Sequence, residues 1–227
     1  MNRPVCLIVP DIDDIEPKSS DPPMTASTPP QPTTEPPTKR DLLLDCAQEL
    51  FTKEGFHATG IDRILDRAGV AKMTLYNNFG SKEQLIVEVL DRASEGLIGM
   101  MGEWAARSSD PFEQVMHLFD GLGEWFSRPD CRGCLLQAAA AEFSDPDSPV
   151  TQAIQRHDAR VRTLVTRIAR ATECRAPDDL ATQICLLLAG SLSAVRVCRC
   201  RQPADAAKRA AAILLEDACR RAEPPRL

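Results

Sequence analysis

The sequence predicts an all-α protein: three short helices, a long helix leading away from them, and a larger helical domain beyond. Three observations carry this. From Thr38 onward, apolar side chains recur at intervals of three and four, the period of a helix buried on one face. No stretch alternates apolar and polar residues with the Val, Ile and Thr enrichment of a strand, and the alanine-rich segments favour helix. The periodic stretches are punctuated by glycine, by proline, and by Ser, Thr or Asp where helices start.

The chain begins differently. Residues 1–37 hold 10 of the 18 prolines and six acidic against two basic side chains, and from Pro22 onward they are almost entirely Pro, Thr, Ser and Gln. Such a segment buries too little apolar surface to offset its ordering entropy, so it reads as a disordered tail. It has no basic start followed by an apolar stretch and a small-residue cleavage site, so it does not read as a signal peptide, and both Met1 and Met24 stand as initiators. No run of about 18 consecutive apolar residues occurs anywhere, which argues against an ordinary membrane-spanning helix and for a cytoplasmic protein.

The first helix is expected to start at Thr38 and Asp41, a capping pair, with Leu43, Ala47, Leu50 and Phe51 on one face and Gly55 as its stop. A second follows Thr59, turns Ile61, Ile64, Leu65 and Ala68 inward, and ends at Gly69. A third, about two turns long, runs from Ala71 to Phe79. Ser81 followed by Gln84 opens a fourth, whose apolar positions Leu85, Val89, Ala93, Leu97, Met100 and Trp104 carry it to about Arg107, on the order of 35 to 40 Å. Beyond Pro111 further helices are expected over 111–127, 131–143, 149–173, 178–198 and 203–221, separated by Arg128-Pro129, Asp145 to Ser148, Ala176-Pro177 and Gln202-Pro203.

The first three helices, over residues 38–82, have the layout of a helix-turn-helix with a supporting helix, in which the third enters the DNA major groove. Leu75 and Phe79, four apart, are spaced to face inward, leaving Lys72, Met73, Thr74, Tyr76, Asn77 and Asn78 outward. Four residues have a plainer alternative: Tyr76 as a core aromatic, Asn77 and Asn78 as solvated positions, and Lys82, at the start of the next helix, as a surface lysine. The chain is acidic, with a net charge of -6, so bulk charge argues weakly against nucleic acid. Locally the balance differs. No carboxylate falls between Gly55 and Ile61, nor from Ala68 to Lys82, where Lys72 and Lys82 lie.

Within this region "AQELFTKEGFHATGIDRILDRAGVAKMTLYNNFGSKEQL", Ala47 to Leu85, resembles the DNA-binding domain of the tetracycline-repressor (TetR) family almost end to end. Further on, "GCLLQAAAAEFSDPDSPV", Gly133 to Val150, is similar to one C-terminal subgroup of that family. The resemblance implies a homodimer that binds a palindromic double-stranded DNA operator and releases it on taking up a small-molecule effector. It also implies that Thr59, Lys72 and Tyr76 approach the DNA backbone, that Met73, Thr74 and Asn77 face bases, that Asn78 stands where the family often has histidine, and that Lys82 reaches a phosphate. The chain departs from the family pattern at Ala71, where a capping serine is common, and at Gly60, which replaces a hydroxyl residue.

Residues 83–223 are expected to form the effector-binding and dimerisation domain. The helices carrying Leu180, Ile184, Leu187, Leu188, Leu192 and Val195, and Ala207, Ala211, Leu214 and Ala218, are expected to leave apolar faces for a four-helix interface between two subunits, or else to pack within one chain. Met100, Met101, Trp104, Met116, Phe119, Trp125 and Phe126 cluster on three helices and are candidates for an effector pocket, with ordinary core packing as the alternative. His117 and His157 read as ordinary histidines. No GxSxG, phosphate-binding loop or HExxH is present, so no enzyme, catalytic residue or cofactor is expected. Nine cysteines, an odd number, do not suggest a disulfide framework. The lone Cys131/Cys134 CxxC and the Cys198/Cys200 CxC lack a second pair at zinc-ribbon spacing. A repressor sensing oxidant or metal through Cys131 and Cys134 is the alternative to a small-molecule sensor.

Overall fold

The computed structural model describes residues 38–129, 131–198 and 200–220. The expected tail at residues 1–37 and the choice of initiator lie outside them. Among the described residues there are nine α-helices and no strand.

Helix α1, Lys39–Glu54, starts at Thr38, whose hydroxyl accepts from the Asp41 amide at 3.2 Å while the Asp41 carboxylate accepts from the Thr38 amide at 3.2 Å. Each member of this pair satisfies an amide that a helix start leaves without a partner. The helix stops at Gly55, which has a φ of 88°. Helices α2, Ile61–Ala68, and α3, Lys72–Phe79, follow, separated by Gly69 in the left-handed conformation. Ile64, Leu65, Leu75 and Phe79 are buried with Leu43, Leu44, Ala47, Leu50 and Phe51 of α1, and Phe56 stacks on Phe51 with centroids 4.8 Å apart. Three short helices thus share one small core.

Helix α4, Lys82–Ala105, is capped by Ser81, whose hydroxyl accepts from the Gln84 amide at 3.0 Å. Its start packs on α1 and α3, and the helix continues without a break into contact with α5, Pro111–Phe126, and α7, Pro149–Ala171. Asp110 and Ser148 cap those two helices, each ahead of a proline whose missing amide costs nothing in the first turn. Helices α8, Pro177–Cys198, and α9, Gln202–Arg220, complete the bundle: α8 packs on α7 and α9, and α9 packs on α5. Lys208 of α9 donates to both oxygens of Asp120 on α5 at 2.7 Å. The indole of Trp104 lies so close over the backbone of Gly121 that a Cβ there would fall 2.0 Å from the ring.

One expectation is corrected, and one of two open readings is favoured. Helix α6 is Leu135–Glu142, starting four residues later than the expected 131, because Gly133 has a φ of 83°, which no right-handed helix accommodates. The apolar positions expected to face a second subunit are largely used within one chain: Leu180, Ile184, Leu188, Leu192, Val195, Ala207 and Ala211 are buried. Helix α8 is apolar on more than one side, and its outward stripe runs instead through Leu186, Gly190, Ala194 and Val197, with Leu186 68% and Val197 89% exposed. Ile213 on α9 is 65% exposed. By length and hydropathy alone α8 is long enough to cross a membrane, but a third of its most apolar stretch is buried in the bundle.

Candidate nucleic-acid interface and internal cavity

Helix α3 is anchored by Leu75 and Phe79, and the same spacing turns Lys72, Met73, Tyr76, Asn77 and Asn78 to solvent. Thr74 is half-buried beside them. Met73 is 68% exposed, a large apolar side chain with no protein surface to cover. The Lys72 ammonium lies 3.3 Å from Asp62 of α2 in an exposed pair of little energetic weight, so it remains available to another anion. The Asn78 amide donates to the Thr74 carbonyl at 2.7 Å, one turn back in its own helix, which occupies one of its donors. As expected from Ala71, α3 has no side-chain cap.

One of the expected backbone-contacting residues is placed differently, and a second already makes a hydrogen bond within the fold. Thr59 is fully buried, and its hydroxyl donates to the Gly55 carbonyl at 2.7 Å. It closes the turn between α1 and α2 rather than presenting itself to a phosphate. Lys82 donates to the Phe56 carbonyl at 2.7 Å, and burial holds its pKa below the usual lysine value. Phe56 is gripped from the other side as well. The Glu142 carboxylate, at the end of α6, accepts from the Phe56 amide at 3.1 Å and from the His57 amide at 2.8 Å. The His57 Nε2 pairs with the Glu142 carbonyl at 3.0 Å, and Phe143 packs on the His57 ring at 4.8 Å and edge-on to Phe56 at 5.7 Å. Gly55 suits this turn because its φ of 88° is one that L side chains rarely adopt, and the Glu142 carboxylate lies 2.8 Å from where a Cβ would sit. The turn that precedes the helix-turn-helix is thus held by two oppositely charged side chains, one from α4 and one from α6.

The other end of α6 borders a cavity of about 220 Å³ in the C-terminal bundle. Leu97, Met101 and Trp104 of α4, Leu122 of α5, Leu136 and Ala140 of α6, Ile154 and Val161 of α7, and Leu188 and Leu192 of α8 give it an apolar body. Gln137, His157, Asp158, Arg162 and Thr182 add a polar edge. Of the seven methionine and aromatic candidates, Met101 and Trp104 line this cavity. Met100 and Trp125 border a separate groove beside Arg132, and Met116, Phe119 and Phe126 are core residues that line neither. The polar lining was missed because its residues come from α6, α7 and α8, far apart in the chain. The one local signal was His157 on the inward face of an otherwise apolar helical stripe.

His157 is buried, and its Nδ1 lies 2.9 Å from the Ser94 hydroxyl, itself 3.5 Å from Arg160 Nη1. Burial, with a smaller contribution from Arg160 against the opposing pull of Asp158, holds its pKa below the ordinary value of 6.5, so the ring is neutral at neutral pH. With Nδ1 engaged, Nε2 is the ring atom left for a bound molecule. Cys134 and Cys185 also line the cavity, and burial pushes both thiols up, away from the reactive thiolate. Among the described residues no cysteine is in a disulfide, and no three His, Cys, Asp or Glu side chains gather as a metal site.

Comparison with known proteins adds to this geometry. Residues 43–89 match the model of bacterial regulatory proteins of the tetR family, and residues 111–211 match that of the tetracyclin repressor-like C-terminal domain. The chain is 47% identical over 60 residues to the transcriptional activator FasR of Mycolicibacterium smegmatis, covering 26% of this chain and 27% of that protein. It is 32% identical over 122 residues to the transcriptional repressor KstR2 of the same organism, covering 54% of this chain and 58% of that one. These matches span less than two thirds of either relative. The crystal structure of a TetR-family regulator from Streptomyces coelicolor superposes with a TM-score of 0.75 at 27% identity, over 80% of this chain and 96% of that one.

Proposed function

Because the chain belongs to the TetR family of bacterial regulatory proteins, DNA-binding transcriptional regulators rather than enzymes, we propose that it is a cytoplasmic homodimeric repressor that leaves a palindromic operator when a small molecule fills the C-terminal cavity. The observation that carries this reading is the placement of two features on one uninterrupted helix. Helix α4 starts at the end of α3, with its exposed Lys72, Met73, Tyr76 and Asn77, and about 30 Å further on it supplies Leu97, Met101 and Trp104 to the cavity.

On this reading Lys72 and Tyr76 meet phosphates, and Met73, Thr74 and Asn77 meet base edges, as a helix in the major groove allows. Thr59 and Lys82 act indirectly, by fixing the turn in front of α2. The dimer forms through the outward stripe of α8 at Leu186, Ala194 and Val197 together with Ile213 of α9, since these are the large apolar side chains and small residues that one chain leaves uncovered on two adjacent helices. The effector is a molecule with an apolar body and one or two hydrogen-bonding groups, matched to the apolar wall and to His157, Gln137 and Thr182. Sensing through Cys131 and Cys134 fits less well, because the Cys134 thiol is buried and held protonated.

Ligand in the cavity releases DNA only by favouring the non-binding arrangement: a 100-fold loss of operator affinity needs about 2.7 kcal/mol of differential binding. The test is a screen of small amphipathic compounds, following Trp104 fluorescence and release of a selected operator together. Both are expected over the same concentration range, and Trp104→Ala is expected to blunt release while leaving operator binding intact. Normal release in that variant, or release by peroxide that disappears on mutating Cys131 and Cys134, overturns this reading.

A further inference from the structure

Apart from the apolar cavity, the groove at Met100 and Trp125 and the α3 face, the chain carries a cleft of about 360 Å³ between the end of α1 and the end of α8. It is lined by Thr52, Lys53, Cys131, Arg132, Val195 and Arg196. Three of these six are cations, and the adjoining groove, which shares Thr52, Lys53 and Arg132 with it, adds the carboxylates of Asp45 and Glu49 on the α1 side. Lys53 has a partner, Glu49, one turn back in α1 at 2.5 Å. Among the described residues neither Arg132 nor Arg196 has an ion pair or a side-chain hydrogen bond. Their placement is built. Gly133 takes its φ of 83° under Arg196, and a Cβ there would lie 2.8 Å from Arg196 Cγ, so the stem of Arg196 rests on the Gly133 backbone and its side chain lines the same cleft as Arg132.

We propose that this cleft is an anion site for a small, multiply charged, phosphate-bearing molecule. Arg132 and Arg196 line one cleft with no anionic partner for either among the described residues, so they repel one another, and an anion turns that repulsion into attraction. The guanidinium forks of Arg132 and Arg196, on one cleft with the Thr52 hydroxyl, can supply the paired donors that phosphate oxygens accept in bidentate fashion, a match that lysine alone does not make. A bound anion would tie Lys53, on α1 of the DNA-binding unit, to Arg132 and Arg196 of the C-terminal domain. The Arg132 to Leu136 segment also separates this cleft from the apolar cavity, since Cys134 and Leu136 line the latter. The binding claim does not depend on the repressor reading.

Inorganic pyrophosphate is the probe, titrated by calorimetry into the full chain at constant ionic strength. Saturable binding is expected, weakened about tenfold by Arg132→Ala or Arg196→Ala and less by Arg196→Lys, which keeps the charge and loses the fork. Arg175→Ala, on a distant exposed position, serves as the control and is expected to bind as the native chain does. Absence of saturable binding up to about 10 mM, or equal binding by the Arg132 and Arg196 variants, overturns the proposal. So does a loss of operator affinity in those variants without pyrophosphate, which would make the cleft a DNA contact instead.

Discussion

Glu142 holds Phe56 from a distance of 86 residues along the chain, accepting its backbone amide at 3.1 Å while Lys82 takes the same residue's carbonyl at 2.7 Å. The contact joins the end of α6, whose Gln137 and Ala140 border the cavity, to the turn from which α2 departs. Hydrogen bonds to a charged acceptor contribute about 1.5 to 3 kcal/mol, and leaving two amides without their partner adds a further cost. Glu142→Ala is therefore expected to lower the melting temperature by about 4 to 8 °C, at roughly 2 to 4 °C per kcal/mol for a chain of this size. Operator affinity is expected to fall with it, because the turn in front of the helix-turn-helix loses its support. An unchanged melting temperature, measured by calorimetry, would show that the contact is not formed in solution.

The α3 face separates phosphate from base contacts. Lys72→Ala is expected to weaken binding to every DNA sequence about equally and to lower the salt slope by roughly 1. Asn77→Ala is expected to relax discrimination at particular base pairs by about 1 to 3 kcal/mol. Fluorescence anisotropy against a set of operator variants at several salt concentrations decides between them, and a reversed pattern assigns the two faces the other way round.

The outward stripe of α8 makes a pair of substitutions informative. Leu186→Glu and Val197→Glu place a charge where the single chain leaves an apolar side chain exposed, so they are expected to leave the fold intact and to yield monomers in sedimentation. Leu188→Glu buries an unpaired charge inside one chain and is expected to unfold it. A dimer that survives Leu186→Glu and Val197→Glu together would move the interface elsewhere.

His157 gives the stability a pH dependence of predictable sign. Its folded-state pKa lies below the ordinary value of 6.5, so the unfolded chain binds a proton more readily. The corresponding stability is complete above the unfolded value and is lost as pH falls through it toward the folded one. His157→Asn keeps a group in reach of Ser94 and removes the titration. Between about pH 7.5 and pH 5.5 its melting temperature is expected to fall less than that of the native chain, and parallel curves would exclude His157 as the source.

Helix ends and helix faces were legible from residue order alone, because they depend on local geometry. Thr38 with Asp41, Gly55, Gly69 and Ser81 set the ends of the first helices because a cap satisfies amides within three residues of itself, and the four-residue spacing of Leu75 and Phe79 orients α3 whatever surrounds it. Long-range packing settles the outcome wherever two helices or two turns compete for the same group. Thr59 and Lys82 are polar residues near the expected DNA surface, and only the folded turn shows that the Gly55 and Phe56 carbonyls claim them. Leu188 and Leu186 are equally apolar neighbours on α8, and periodicity alone does not say which stripe the rest of the chain covers. The cavity is the extreme case, since Trp104, Gln137, His157 and Leu188 meet only because α4, α6, α7 and α8 pack around one space. A pattern with a period of 3.6 residues encodes a helix and its apolar faces, whereas the pairing of those faces depends on contacts between residues tens of positions apart, which no local period records.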